Sequence, residues 1–456
     1  MKLSWIDISF LAGYTLVCLL IGWRASRRQK DEDYLIAGRN LNTLGFMASV
    51  VASYIGGAAI VAYAAYVFQF GISALAVFIG TAAGFLVFVP YALKLRKIST
   101  EKEFHTLSDW FYYKYGYRVG LASALILFVV YFGMLLNQFI AGSTILANIS
   151  GWSYEHSLLF SSAVIMIYLM AGGFQSVIRT DIFQYIVLFV LFFLLGIIML
   201  GEHRELAVGM FDLSMMDPAM TIAFIAFGVF IIFQSAEYWQ RVYAARDAHV
   251  VKKGLIASAI LVVITGMAIT MVGLAARSTE GIEARNAFAT GLRILVPPHF
   301  LGIGLVLIFA AIMSSADTII FVLASSLAKD YWGHIGTKTP DQHQLMRMTR
   351  IFILLFSMGG FALAYFFRDL IAVIVFITGM GFTIIPAAVA SFHVRLHPMA
   401  VMASFISGVV YIFILYLLGY LIPEASIASI LVSAITLVLV QSFARRYLKL
   451  PATPEP

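Results

Sequence analysis

Long apolar stretches, separated by short polar segments, run through nearly the whole chain. A stretch of about 20 apolar residues is long enough to cross a bilayer as a helix. The stretches are continuous runs of Leu, Ile, Val and Phe, which favours helices over the strands of an outer-membrane barrel, since those alternate over about ten residues. The pattern predicts thirteen spanning helices. Their approximate limits are 5–23, 43–68, 72–93, 119–147, 157–171, 181–201, 219–238, 254–276, 300–328, 351–367, 369–390, 399–421 and 425–443.

Composition places the whole chain in the membrane. Hydrophobic residues occupy 62% of the 456 positions and charged residues only 12%, whereas about a quarter of the residues of a soluble protein are charged. The motifs of nucleotide-binding, serine-hydrolase and zinc-peptidase chemistry are absent, and the one cysteine, Cys18, provides neither a disulfide framework nor a metal site. We therefore expect one membrane-embedded body that is not an enzyme.

The basic residues predict the orientation of the chain. With the N-terminus outside, the segments that follow odd-numbered spans contain 24 of the 30 Lys and Arg residues, an excess that is typical of cytoplasmic loops. The basic residues are spread over seven short segments rather than gathered in one footprint, so the net charge of +7 does not indicate nucleic-acid binding. We predict a multi-pass membrane protein with its N-terminus outside and its C-terminus in the cytoplasm.

Adjacent glycines interrupt the second span, in the segment Ala52-Ser-Tyr-Ile-Gly-Gly-Ala-Ala. Irregular backbone is tolerated at membrane depth only where protein buries it or a cavity hydrates it. In transporters, the carbonyls freed by such a break bind a cation, and the exposed half-helix N-terminus faces an anionic group. Close helix packing through small residues is the alternative.

The ninth span carries four polar side chains near its middle: Ser314, Ser315, Asp317 and Thr318. Asp317 is the only acidic residue expected at this depth, and no basic residue is expected in the interior of any span. A carboxylate there is costly and indicates a functional site, and oxygen ligands suit a hard cation rather than zinc or copper. The alternative is a protonated Asp317 that is hydrogen-bonded to a neighbouring helix.

Other polar residues lie at the ends of spans or deep within them. Asp181 opens the sixth span, where the helix dipole also favours an acid. Asn137 and Gln138 are deep amides of the fourth span, able to bind a solute or another helix.

The seventh span ends in a run of polar and aromatic residues. Gln234 and Ser235 fall within its apolar part. We predict that Glu237, Gln240 and Arg241 form a charged cluster at the cytoplasmic interface, where aromatic belts are common.

Together these motifs resemble the sodium:solute symporter family over nearly the whole chain. Besides the broken second span, the resemblance rests on Gly-Gly-Phe followed by Thr180-Asp181, on Gln240-Arg241 followed by Ala-Ala-Arg-Asp, and on Ala311-x-x-Ser314-Ser315. The last of these motifs is the most specific.

The resemblance implies an all-α, leucine-transporter-like fold with two inverted repeats of five helices and broken helices. It places the repeats at 42–201 and 214–394 of a single transmembrane domain, 1–456. The first span with its loop (1–41), two C-terminal spans (395–447) and a cytoplasmic tail (448–456) complete the chain.

By the same resemblance, the membrane is the inner (cytoplasmic) membrane of a bacterium, and the coupling ion is Na⁺. Its main site would use the backbone carbonyls of Ala52, Ile55 and Ala311 and the hydroxyls of Ser314 and Ser315.

A second cation site of the family is matched by Asp181, Ser314 and Thr318. Asp317 stands where that site has Ser or Thr, so this position indicates either a stronger second cation site or a proton carrier.

The resemblance also implies a small-molecule solute. Tyr54 stands where the family's proline carriers have an aspartate, and the side chains that bind sugar hydroxyls or the sialic acid carboxylate are missing from spans 3 and 4. An amino-acid-like or carboxylate solute fits the remaining candidates, which are Tyr54, Gly56, Asn137, Gln138, Gln234 and Ser235.

The leading hypothesis is therefore a sodium-coupled symporter that imports a small organic solute by alternating access. Proton-coupled symport through Asp317 is one alternative. A solute sensor that acts with a separate signalling partner is another.

Overall fold

In a computed structural model, residues 5–27, 35–171, 173–202, 212–297, 301–332, 341–366 and 370–448 are described. Nearly all of them are helical. Within these residues, ten helical segments are long and apolar enough to cross a membrane, or eleven if one bent pair counts as a single span. The apolar runs of the sequence therefore form helices, as predicted.

The described residues form eighteen α-helices. In chain order they are α1 (Trp5–Arg27), α2 (Thr43–Tyr54), α3 (Gly57–Phe70), α4 (Ala76–Glu101), α5 (Leu107–Tyr115), α6 (Tyr117–Ser150), α7 (Tyr154–Ala171), α8 (Phe174–Glu202), α9 (Pro218–Gln234), α10 (Ala236–Ala244), α11 (Ala248–Ala276), α12 (Ala287–Leu295), α13 (Leu301–Ser326), α14 (Gln342–Phe366), α15 (Leu370–Phe382), α16 (Ile385–Ala390), α17 (Pro398–Leu417) and α18 (Pro423–Tyr447).

Each of the thirteen predicted spans overlaps one of these helices or two consecutive ones. The number thirteen itself stays a prediction, because the helical stretch from Gly57 to Glu101 qualifies as one span and the short α2 does not qualify alone.

Two predicted spans are broken in the middle, and each is the first span of a predicted repeat. The second span is divided into α2 and α3 at Ile55 and Gly56. The seventh is divided into α9 and α10 by extended backbone at Ser235, where the span bends by 51°. The sequence predicts the first break through its glycines, whereas the second occurs without one.

Helix α13 lies at the centre of the molecule. Every residue from Gly304 to Ser325 is buried, and the helix packs against α1, α2, α3, α6, α7 and α8. A helix that is buried on all sides offers no water to its polar side chains, so each one needs a partner within the protein. Ser314 and Ser315 of α13 find such partners in backbone carbonyls beside the break in span 2.

Small residues let α4 and α9 approach each other at backbone distance. A Cβ atom on Gly228 would lie 2.5 Å from the backbone nitrogen of Thr81, and one on Gly80 would lie 2.7 Å from Cα of Ile225. Such small-residue crossings are characteristic of membrane helix pairs. They fix α9 against the third span, close to the bend at Ser235.

Main-chain hydrogen bonds join the segment before α2 to the end of α10. The Leu41 amide donates to the Ala244 carbonyl (3.0 Å), and the Arg246 amide donates to the Leu41 carbonyl (3.0 Å). Arg96 adds hydrogen bonds to the carbonyls of Ala245 and Arg246. The first helices of the two predicted repeats are thereby connected at their predicted cytoplasmic ends.

The short helix α5 is held to the end of the ninth span by a charged cluster. Asp109 caps its own helix by accepting from the amides of His105 and Thr106. Lys329 Nζ donates to Asp109 Oδ2 (2.6 Å) and to His105 Nδ1 (3.0 Å). Although burial alone raises the pKa of Asp109, these partners hold it below its ordinary value.

Acidification is expected to loosen this cluster. Burial, together with the Lys329 ammonium, lowers the pKa of His105 to about 3, whereas an unfolded histidine titrates near 6.5. Because the unfolded chain then binds the proton first, stability is lost as the pH falls below about 6.5 and down to about 3. A change from about pH 7.5 to about pH 5.5 therefore costs about 1.4 kcal/mol.

Thermal melting of detergent-solubilised protein at the two pH values measures this loss. His105→Gln should show a smaller pH dependence than the wild type, and the exposed His343 provides the control variant, His343→Gln. Equal pH dependence in all three proteins would contradict the prediction.

Candidate functional site

The predicted main sodium ligands converge where α2 ends beside α13. Ser314 Oγ lies 3.1 Å from the carbonyl oxygens of both Ala52 and Ala311. Ser315 Oγ lies 3.1 Å from the carbonyl oxygen of Ser53. Ile55, the remaining predicted ligand, is the buried residue at the break itself. The structure thus brings Ala52, Ala311 and Ser314 together and places Ser315 beside the carbonyl of Ser53, which was not among the predicted ligands.

The local sequence explains why carbonyls face this point. The helical bonds of α2 run to the Ile55 amide, which donates to the Val51 carbonyl. Beyond the break, the Ala58 amide donates to Gln138 Oε1 (3.3 Å). A Cβ on Gly56 would lie 2.8 Å from Gln138 Nε2 and would collide with Ser315. Glycine is therefore the residue that permits α6 and α13 to approach the break.

These groups fit sodium by the chemistry of their donors. All are oxygens, and Ala52, Ser314 and Ser315 are at most 1% exposed. Carbonyl and hydroxyl oxygens suit a hard cation of low charge. Helix ends at a membrane break supply such carbonyls without leaving hydrogen bonds unmade elsewhere.

The second predicted set, Asp181 and Thr318, is connected by Arg241. Asp181 Oδ2 accepts from Ser49 Oγ (2.5 Å) and forms an ion pair with Arg241 at 3.3 Å. Thr318 Oγ1 accepts from Arg241 Nη2 (2.9 Å). In this structure a guanidinium supplies the positive charge beside Asp181.

Arg241 is fully engaged within the protein. Besides Asp181 and Thr318, it donates to the hydroxyls of Ser49 and Ser53 and to the carbonyl of Glu237. Its side chain is 0% exposed. Five acceptors around a planar guanidinium satisfy its donors and offset part of the cost of burying the charge.

These observations correct three predictions. A basic residue does lie in the interior, because Arg241 is buried. Glu237, Gln240 and Arg241 do not form an interfacial cluster, since all of α10 is buried. Asp317 is not the only deep acid, because Asp181 and Glu237 are buried too. The physical reason is the bend at Ser235, which packs the polar end of span 7 against the other helices.

Asp317 lies next to both sets. Its Oδ2 accepts from the Thr180 hydroxyl of α8 (3.4 Å), and its Oδ1 accepts from the Thr318 amide (2.6 Å). Asp317 is 0% exposed. The alternative to a cation site was a protonated Asp317 that is hydrogen-bonded to a neighbouring helix. The contact with Thr180 is a hydrogen bond of Asp317 to such a helix.

A cavity of about 300 Å³ adjoins the two breaks. It extends from Ala284, in the segment between α11 and α12, to Ser53, Ser315 and Thr318 at the ion site. Its volume is in the range of small-molecule sites. Seven aromatic residues contribute to its lining: Tyr54, Tyr63, Tyr66, Phe78, Phe224, Phe227 and Tyr238.

Two of these tyrosines direct their hydroxyls to threonines. Tyr54 Oη lies 2.6 Å from Thr81 Oγ1, and Tyr63 Oη lies 2.5 Å from Thr270 Oγ1. Phe78 makes edge contacts with both rings, at centroid distances of 5.7 and 4.5 Å. Because the hydroxyls have partners, these residues offer a solute mainly their rings.

The predicted solute residues divide into two groups. Tyr54, Gly56, Asn137, Gln138 and Ser235 line the cavity, although Gln138 also caps α3 and the Ser235 hydroxyl donates to its own helix.

Gln234 is placed differently. It is absent from the lining and packs against Gly381 of α15, where its amide has no hydrogen-bond partner among the described residues.

Glu237 is a cavity residue that sequence reasoning assigned to the interface. Tyr131 donates a short hydrogen bond to its carboxylate, and the Glu237 amide donates back to Tyr131 Oη at 3.2 Å. The sequence held no local signal for this position, because the break at Ser235 that turns Glu237 inward is not marked by glycines.

Comparison with known proteins gives a consistent result. The model of the sodium:solute symporter family matches residues 34–408. The osmoregulated proline transporter OpuE of Bacillus subtilis is 24% identical over 369 residues, which are 75% of this chain and 74% of that protein. The sodium/proline symporter of Escherichia coli is 24% identical over 380 residues, or 77% and 75% of the two chains. A sodium/pantothenate symporter of Haemophilus influenzae is 25% identical over 66% of each chain.

Solved structures show the same fold. A Na⁺-coupled sialic acid symporter in a substrate-bound, outward-open state has a TM-score of 0.88 at 17% identity, with 99% of this chain and 100% of that chain covered. MhsT in complex with L-phenylalanine has a TM-score of 0.57 at 14% identity, with 87% and 97% covered. The expected all-α, leucine-transporter-like architecture with broken helices is confirmed.

Proposed function

Because the chain belongs to the sodium:solute symporter family, a family of secondary transporters rather than enzymes, we propose that it couples the entry of sodium to the import of a small organic solute. The observation that carries this proposal is that Ser314 Oγ lies 3.1 Å from the carbonyl oxygens of both Ala52 and Ala311, while the next residue, Ser315, lines a cavity. The protein is a multi-pass inner-membrane protein. We keep the predicted orientation, with the N-terminus outside.

The coupling of sodium binding to solute binding follows from the helices that the ion site joins, α2 and α13. Ligands from α2 and from α13 must be held together for a cation to bind, and Ser315, which contacts the Ser53 carbonyl, also lines the cavity. Ion and solute therefore favour the same arrangement of the break. Each can shift the conformational equilibrium only by its differential affinity for the two states.

The solute is proposed to be amino-acid-like or a carboxylate. Proline and pantothenate carriers among the relatives support this class, as does the combination of aromatic lining with amides at Asn137 and Gln138. The N-terminus of α3, which begins directly after the cavity-lining residue Gly56, supplies a partial positive charge for an anionic group.

Proton coupling through Asp317 is the second candidate. It is favoured by one observation, the burial of that carboxyl beside Thr180 on a neighbouring helix.

Melting temperatures in sodium chloride and in equal potassium chloride, without any solute, separate the two candidates. A site saturated at about 100 times its dissociation constant stabilises the protein by about 2.7 kcal/mol. We expect a sodium-specific rise that Asp317→Asn retains in part and that the exposed-site control Asp341→Asn retains fully. No sodium effect, together with a pH dependence of melting that Asp317→Asn makes smaller, would replace sodium by protons.

A further inference from the structure

Glu237 contributes the one charged side chain to the described lining of the cavity. Lys, Arg and His are absent from that lining, while seven aromatic rings are present. A carboxylate among aromatic faces is the combination that binds positively charged nitrogen, through an ion pair and cation–π contacts.

The carboxylate is held in place rather than mobile. Tyr131, on α6, donates to one of its oxygens and accepts from the Glu237 amide (3.2 Å). The side chain is 7% exposed, so little of its surface reaches solvent.

The nearest guanidinium does not neutralise this carboxylate directly. Arg241 donates to the backbone carbonyl of Glu237, and its other hydrogen bonds go to Asp181 and to three hydroxyls. Among the described residues the Glu237 carboxylate therefore has a hydrogen bond from Tyr131 but no ion pair that cancels its charge. A positively charged solute group balances it.

We propose that Glu237 binds a positively charged nitrogen of the solute, so that the transporter accepts amino-acid-like or other ammonium-bearing solutes and rejects carboxylates without such a nitrogen. An anion lacking that nitrogen would be brought next to a like charge in a region of low dielectric constant. The inference rests on the proposed function and narrows its solute class.

Matched isosteres test the proposal on the purified full chain in sodium chloride. Three pairs differ only at the nitrogen: L-proline and tetrahydrofuran-2-carboxylate, glycine betaine and 3,3-dimethylbutyrate, and choline and 3,3-dimethylbutanol. We expect at least one nitrogen-bearing compound to raise the melting temperature while its isostere does not. The proposal is overturned if an isostere is as effective as its partner, or if none of the three nitrogen compounds stabilises the protein.

Variants assign the effect to the carboxylate. Glu237→Gln keeps an acceptor for Tyr131 but removes the charge, and should raise the half-effective concentration about tenfold to hundredfold. Glu237→Asp keeps the charge and should retain the discrimination within each pair. The exposed Glu101 gives the control Glu101→Gln, which should behave as the wild type. Unchanged binding in Glu237→Gln overturns the assignment.

The sodium-specific rise without solute, measured first, separates this inference from the proposed function. If that rise is present in Glu237→Gln, the variant is folded and its ion site is intact. A failure of the isostere test then contradicts only the role of Glu237, whereas loss of the sodium effect in the wild type contradicts the proposed function. If Glu237→Gln does not fold, the proposal is still tested by whether the wild-type protein is stabilised by a nitrogen compound and not by its isostere.

Discussion

Replacing Ser314 and Ser315 together with alanine is expected to abolish sodium binding and, with it, concentrative uptake. The two hydroxyls lie 3.1 Å from the carbonyls of Ala52, Ala311 and Ser53. A hydrogen-bonding contact to a charged group contributes about 1.5–3 kcal/mol, so losing two should weaken sodium binding at least about a hundredfold. Binding of sodium-22 to the purified protein measures the loss directly.

Ser325→Ala is the matched control for this double variant. Ser325 lies further along the same buried helix, and its hydroxyl donates to the Val322 carbonyl of its own turn. It should retain sodium binding. Wild-type affinity in the double alanine variant would refute the assignment of the ion site, whatever its effect on melting.

Removing the Arg241 charge is expected to be the most destabilising single change in the buried polar network. Arg241→Gln leaves Asp181 buried at 0% exposure without its ion-pair partner. Taking away one partner of a buried pair costs about 3–5 kcal/mol, because the other charge then stays in a region of low dielectric constant. Thermal melting of the variant in detergent shows the loss.

Two comparisons make this prediction specific. Arg246→Gln also removes an ion pair, but that pair with Asp247 is 61% and 45% exposed, and such pairs contribute less than about 1 kcal/mol. Combining Arg241→Gln with Asp181→Asn removes both charges and should cost less than the two single changes added together. Strict additivity, or equal melting of the two arginine variants, would show that the buried pair is not the source of the effect.

The sequence predicted the helical fold because helices depend on local patterns, and local patterns also mark the residues proposed for the main ion site. Apolar runs of membrane length specify helices whatever surrounds them. The spacing of Ser314 and Ser315 from Ala311 on one helix, and the glycines at positions 56 and 57, mark the two partners that the fold brings together.

The environment of Arg241 could not be predicted in the same way. In the sequence Arg241 follows the apolar part of span 7, and on a straight helix this position would lie at the membrane surface. The bend at Ser235 breaks that relation, since α10 turns by 51° and is buried along its whole length. Nothing in the residues around Ser235 resembles the glycine pair of span 2, so the second break lacks a local signal.

The same bend explains the different positions of Gln234 and Glu237. On a continuous helix, residues three apart share a face. With the helix interrupted between them, Glu237 lines the cavity while Gln234 packs against Gly381. Helical periodicity therefore shows which residues share a face within one helix, but it does not relate residues on opposite sides of a break.

The pairing of Leu41 with Ala244 and Arg246 uses only main-chain atoms. Side-chain replacement leaves these donors and acceptors in place, and proline alone removes an N–H group. The main-chain hydrogen bonds that join the two predicted repeats therefore do not require particular side chains at these positions. These hydrogen bonds by themselves exclude only proline, at positions 41 and 246, whereas the burial of Leu41 and Ala244 at 5% and 0% exposure restricts the size and polarity of the residues at those two positions.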